Sequence, residues 1–207
     1  MKYEVKLISL SPYSQSRPVS SPRKDRETAD DHEERTWKER AHAATEQEAK
    51  EVGAVVGQLF IPPMALKNSL AEAAKYMGKQ IPGKGKSTYT KHIEAGVLAC
   101  VPNPMFADEK MKTPLMADNP AHLVGSRLFV PSDGVRGSGK RVWKTFPTVF
   151  SWVCRATFEI YDDIVTEKVL REHLDVSGKL IGIGRFRPRN NGYYGRFKVA
   201  AMRAIED

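Results

Sequence analysis

The sequence predicts an α+β domain of the split β-α-β, ferredoxin-like (RRM-like) type with long insertions. Three observations predict it. Segments of strand periodicity stand near both ends of the 207-residue chain. Each is followed by an excursion and then by apolar residues at helical spacing. A further strand pattern closes each unit, and a strand-helix-strand unit used twice is the signature of that fold class. The length is ample for one core, so the whole chain, 1–207, reads as one domain with a charged insertion at about 14–51 and a Pro-rich loop at about 102–120.

Met1 to Leu10 alternates, with Tyr3, Val5 and Leu7 on one face and Lys2, Glu4 and Lys6 on the other, and Ser11-Pro12 ends this strand. The charged insertion, with the lone Trp37 inside it, has a composition that buries little of itself. It reads as a mobile loop to about Thr28 and a solvated helix from Asp30 to Glu51. Val52 to Phe60 is apolar and β-rich, and Pro62-Pro63 stops it. Leu66, Leu70, Ala73, Ala74 and Met77 then recur at helical spacing, with Gly78 as the C-cap.

A basic glycine segment, Lys79 to Lys91, leads to an apolar run from Ile93 to Val101 that reads as a strand. The stretch from Pro102 to Pro120 has four prolines and little periodicity, hence a long loop. Leu123 to Val130 is a strand, and Pro131 to Pro147 is a second basic glycine loop. Cys154, Ala156, Phe158 and Ile160 alternate with polar residues as a strand. Thr166 caps a helix whose Val169, Leu170, His173 and Leu174 share a face and which ends near Gly178. Phe197, Val199 and Ala201 form the last strand.

Lysine and arginine total 33 against 25 acids, a net charge of +8 that points to a polyanionic partner. Cys100 and Cys154 lie far apart without CxxC or Cys/His ligand spacing, which argues against a disulfide framework and a structural zinc site. No window approaches a membrane span and the N-terminus has no signal-peptide core, so an intracellular, cytoplasmic protein without cofactor is expected.

The segment that carries chemistry is Arg185 to Lys198, RFRPRNNGYYGRFK, with five positive charges, no negative one, four aromatic rings and two glycines. Guanidinium forks bond phosphates bidentately and displace condensed counterions. Phe186, Tyr193, Tyr194 and Phe197 offer stacking surfaces for unpaired bases, which favours single-stranded RNA or DNA. Gly182, Gly184, Gly192 and Gly195 permit positive φ and close approach of backbone to a ligand, and Asn190-Asn191-Gly192 signals a turn. Lys198 closes the segment. Lys84 and Lys86 in the first glycine segment, with Arg136, Lys140 and Arg141 in the second, are further phosphate contacts. Trp143 and Trp152 bracket that second loop and read as its anchors, whereas Trp37 on a polar arm reads as a partner contact.

Other chemistries fit less well. Gly83 to Thr88, GKGKST, ends like a P-loop, but position 80 is Gln where glycine is required, and no strand leads into it. The five histidines show no HxH or HxxxH pair, and His173 reads as a core residue. A metal-independent ribonuclease would need only a histidine base and a group to stabilise the leaving oxygen, for which His92 beside Lys91 and Tyr89 is the candidate. Asp30-Asp31 and Asp162-Asp163 do not make a two-metal site by spacing alone.

Three segments, in this order, resemble the RAMP superfamily, the repeat-associated proteins that include the backbone subunits of CRISPR effector complexes: KYEVKLISLSPYSQSR, FIPPMALKNSLAEAA and GIGRFRPRNNGYYGRF. They cover roughly a quarter of the chain. The resemblance implies a ferredoxin-like fold, guide-RNA contacts at Lys67, Asn68, Arg185, Arg187, Arg189, Tyr194 and Arg196, and copies stacked along the RNA with other subunits of an antiviral ribonucleoprotein complex. The arginine loop is longer and richer in arginine than the family's glycine pattern, and the compact length suits a relative carried by a phage or mobile element. Some members cleave target RNA with an aspartate in the corresponding region, but no motif singles out Asp25, Asp30 or Asp31. The expected function is thus a non-catalytic, single-stranded RNA-binding subunit. The alternatives are an endoribonuclease of the same fold using His92, and a phage protein that binds single-stranded DNA or mimics such a subunit.

Overall fold

The computed structural model describes residues 1–132, 134, 137 and 139–206. In chain order its elements are β1 (Lys2–Ser9), β2 (Tyr13–Ser14), α1 (Ala29–Thr36), α2 (Glu46–Val52), β3 (Phe60–Ile61), α3 (Pro63–Met77) and α4 (Thr90–Gly96). Then follow β4 (Val97–Ala99), β5 (Asn103–Phe106), β6 (Val124–Pro131), β7 (Arg141–Val149), β8 (Val153–Ile160), α5 (Glu167–Val176) and β9 (Phe197–Ile205). The result is a mixed α+β fold with two sheets. β1 lies between β8 and β9, antiparallel to both, in the larger sheet. β4 and β5 pair in succession along β8, and β3 extends the sheet beyond β5. The smaller sheet runs β2-β7-β6, with β6 and β7 forming a long ribbon.

The period-two pattern of β1 buries Tyr3, Val5 and Leu7 and turns Lys2, Glu4 and Lys6 outward. Ala156, Phe158 and Ile160 of β8 share the inner face, and Leu66, Leu70, Ala73 and Ala74 of α3 are buried with them. α3 starts at Pro63, whose missing N–H costs nothing in a first turn, and stops at Gly78 in the left-handed region. α3 and α5 pack on each other, and α5 also packs on β9. The Thr166 hydroxyl caps α5 at the Val169 N–H. Each buried Leu, Ile or Phe here contributes about 1.5–3 kcal/mol.

The structure departs from the sequence expectations at six places. The expected Asp30–Glu51 helix is two short helices, because Thr28 with Asp31 and Thr45 with Glu48 form separate capping boxes. Between them the chain turns out to pair Ala43 with Leu59. The arm is also tied down, by Glu33 on Arg40 at 2.6 Å, by Glu27 on Arg35 at 2.7 Å, and by Glu39 on the backbone of Ser20 and Ser21. Of Val52–Phe60 only Phe60 enters a strand. The Ile93–Val101 run begins as α4, where Gly96 lets the chain pass close to Asp162, and becomes strand only at Val97.

The Pro-rich loop contains β5, whose buried Met105 lies opposite Cys154 and fills the sheet where β4 leaves off. The second half of the second basic loop is not loop, since Arg141 to Pro147 lie on β7. Ala201 does not face the core either: a register shift at Lys6/Leu7 places it opposite Lys6, exposed. Among the described residues no helix is long and apolar enough to cross a membrane.

His173 is buried in the core with Nδ1 on the Val169 carbonyl at 2.7 Å, as its position on the apolar helix face predicts. Its Nε2 has no partner among the described groups. Burial pushes its pKa below the ordinary histidine value, and burial with the nearby Arg17 charge does the same to His42. The unfolded chain therefore takes up these protons first as pH falls below about 6.5, so stability is complete above that pH and declines beneath it. Urea midpoints should fall between pH 7.5 and 5.5, and His173→Phe should shrink the fall. An equal fall in wild type and variant contradicts this assignment.

Candidate nucleic-acid interface

The arginine loop is a built structure, held by its own backbone. After α5 a wide π turn, Ser177–Ile181, carries the chain to Gly182, Ile183 and Gly184. The Ile183 N–H donates to Gly195 O at 3.0 Å, that of Tyr194 to Phe186 O at 2.9 Å, and that of Arg185 to Ser14 O at 3.1 Å. A short 3-10 turn, Pro188–Asn190, ends at Asn191 in the left-handed region, where the Asn-Asn-Gly signal places it. The close approach expected of the glycines occurs within the chain. A Cβ at Gly192 would fall 1.8 Å from Phe186 O, and one at Gly195 1.8 Å from Ile183 O.

The expected contact residues have unequal surroundings. Arg185 lies over the Phe146 ring, 5.1 Å from its centroid, with no carboxylate partner among the described residues. Partial desolvation of its guanidinium, and then the nearby Arg40 charge, lower its pKa, but the residue is exposed and stays charged. Arg187 bonds Glu72 at 2.7 Å and Arg189 approaches the same carboxylate at 3.6 Å. Arg196 donates to Lys179 O at 3.2 Å, and Lys198 is exposed on β9. Tyr193 is 62% exposed and stands edge-on to Tyr194, which stands edge-on to Phe186. Phe197 is fully buried beside Trp152 and is a core ring.

Lys67 donates to Ile93 O, Glu94 O and Val97 O, so all three donors of its ammonium cap the end of α4. Asn68 is exposed and lines a shallow groove with Lys67, Glu72 and Arg187, so the two helix residues and the arginine loop do meet. Lys84 and Lys86 are exposed in a turn beyond α3 and do not reach the arginine loop's cleft. That turn follows a helix, and its Gly83 and Gly85 have positive φ. Arg136 lies outside the described residues. Lys140 is exposed, and Arg141 at the start of β7 donates to Phe129 O and sits 5.3 Å from the Phe129 centroid.

Trp152 keeps its expected role, while Trp143 and Trp37 depart from theirs. Trp152 anchors in the core, Trp143 is 48% exposed on the ribbon under Arg127, and Trp37 packs half-buried against Gly125 of β6. Beside the loop, the structure assembles a cleft of about 530 Å³ that no sequence motif marks. Its walls are the Ser16–Val19 segment, the inner face of the ribbon and the start of the arginine loop. Arg17, Arg40, Lys144 and Arg185 line it with Phe146 and Phe186, and among the described residues no acid does. Arg40 is paired with Glu33, while Arg17, Lys144 and Arg185 form no ion pair among the described residues.

The catalytic candidates are placed differently. Tyr89 is buried edge-on to His173, away from the role expected beside His92. His92 Nδ1 instead meets Asp162 Oδ2 at 2.6 Å, across 70 positions of sequence. The hydrogen bond from His92, then that from the Ile164 N–H, hold the Asp162 carboxyl below the usual range. Among the described residues no group of three or more His, Cys, Asp or Glu is gathered as metal ligands.

No protein-family model matches the chain, and no curated protein matches it. Among solved structures it is similar to a chain described as a CRISPR RNA-guided surveillance complex, at 9% identity and a TM-score of 0.32. The match takes in 86% of this chain and 58% of that one, so this chain spans less than two thirds of its length. The likeness is distant and loose, at the level of fold, and no functional statement rests on it.

Proposed function

We propose that the chain is a non-catalytic RNA-binding subunit with a ferredoxin-like core, which holds a single-stranded, guide-type RNA while copies of itself line up along the strand. Support for the core comes from the strand order β9, β1, β8, β4, with every neighbouring pair antiparallel. α3 intervenes between β1 and β4, and α5 between β8 and β9, which is the split β-α-β arrangement. An RRM stacks bases on rings of its open sheet face. Here the centre of that face carries Lys2 with Glu159 at 3.3 Å and Arg203 with Glu4 at 2.9 Å, charges already satisfied. The loop side is the binding surface instead.

The observation that carries the reading is the convergence of Arg17, Lys144 and Arg185, without carboxylate partners among the described residues, on one cleft beside the arginine loop. Three phosphates neutralised there give a log K against log salt slope of about −2 for a single strand. Fluorescence anisotropy with a single-stranded RNA oligomer at several salt concentrations measures it, and Arg185→Ala should flatten the slope by about 0.7. Absent or salt-insensitive binding rejects the proposal. Competition with a matched DNA oligomer separates it from the single-stranded DNA reading.

A second reading, the metal-independent ribonuclease, is favoured by the His92–Asp162 pair, because a carboxylate on Nδ1 orients an imidazole as a base. Incubating wild type and His92→Ala with structured RNA in chelator decides it. Cleavage that disappears in the variant would establish the enzyme.

A further inference from the structure

The cleft is more than a patch of charge. Cationic and apolar side chains share its lining, and Phe186 lines both the cleft and a second depression under Phe129 of the ribbon. Phe146 meets Phe186 edge-to-face at 5.2 Å and carries Arg185 on its own face, so Arg185 is fixed in place before any ligand arrives. A cation repelled by Arg40 and without a carboxylate partner among the described residues is electrostatically unsatisfied. An anion at that position relieves it.

We propose that this cleft is a discrete pocket for one phosphorylated nucleotide, its phosphate on Arg185, Arg17 and Lys144 and its base against Phe186 and Val130. The proposal rests on the nucleic-acid-binding reading and names the unit of ligand that the site takes. The volume, about 530 Å³, lies within the range of small-molecule pockets, roughly 300–1,000 Å³. A phosphate alone leaves Phe186 and Val130 wet, and a nucleoside alone leaves three cations unanswered. Neither half should bind as the whole does.

Calorimetric titration of the full chain with adenosine 5′-monophosphate, inorganic phosphate and adenosine tests this. The monophosphate should bind at least about tenfold more tightly than either part, and Arg185→Ala should weaken it by about tenfold. Arg17→Ala, at an exposed position, should do likewise and guards against a folding defect at Arg185. Phe186→Leu should weaken the monophosphate and leave phosphate unchanged. Phosphate binding as tightly as the monophosphate overturns the proposal in favour of a bare anion site, and adenosine binding as tightly overturns it in favour of an apolar one. If the folded protein ignores the monophosphate yet binds an RNA oligomer, the pocket is wrong and the RNA-binding reading survives. If it binds neither, both fall.

Discussion

Gly195→Ala should unfold the arginine loop and abolish its contribution to RNA binding. Gly195 has φ +69°, a region that costs an L-residue about 1–2 kcal/mol, and its added Cβ would fall 1.8 Å from Ile183 O. The obstacle is backbone, so the hydrogen bond from Ile183 to Gly195 must break, and overpacking of this kind costs a further 1–3 kcal/mol or so. The sum, about 3 kcal/mol, lowers the melting temperature by about 6–12 °C in a chain of this size. Calorimetry checks the first effect and anisotropy with an RNA oligomer the second. A variant that melts like wild type would show that the loop is not the rigid body described.

Glu72→Gln should act in the opposite direction on binding. Glu72 holds both Arg187 and Arg189 of the loop, and so supplies inside the chain the negative charge that a phosphate would supply from outside. Removing its charge frees two guanidiniums while leaving a hydrogen-bond acceptor for Arg187. Affinity for single-stranded RNA at low salt should rise about tenfold, and the salt slope should steepen by about 0.7 to 1.4 as one or two further phosphates engage. Weaker binding by a variant of unchanged melting temperature would mean that the carboxylate positions the arginines for RNA, and would overturn its role as an internal counterion.

The strands and helices that could be read from the sequence are those whose pattern records burial on a single face. β1, β8, α3 and α5 each present one apolar side to the core, and period two or 3.6 reports that directly. β5 could not be read, because Pro102, Pro104 and Pro114 mask a strand that exists only because β8 has room beside it. α4 could not be read either, since Ile93 to Val101 is apolar apart from Glu94 and nothing local says where helix gives way to strand. The division of the charged arm was legible in principle: Thr28-x-x-Asp31 and Thr45-x-x-Glu48 are two start signals, one more than a single helix needs.

The candidate site divides in the same way. By itself the sequence determined that Arg185 to Lys198 is a basic, aromatic, glycine-bearing segment after a helix, since charge and ring count are properties of residues. Which of its charges are free is a property of neighbours. Glu72 is more than a hundred positions from Arg187, and Arg17 and Lys144 reach Arg185 only through the fold. Gly192 and Gly195 illustrate the point most plainly, because their composition suggests space for a ligand whereas the tertiary structure fills that space with the loop's own carbonyls. A charge becomes a binding site when packing leaves it without a partner, and only the tertiary structure decides that.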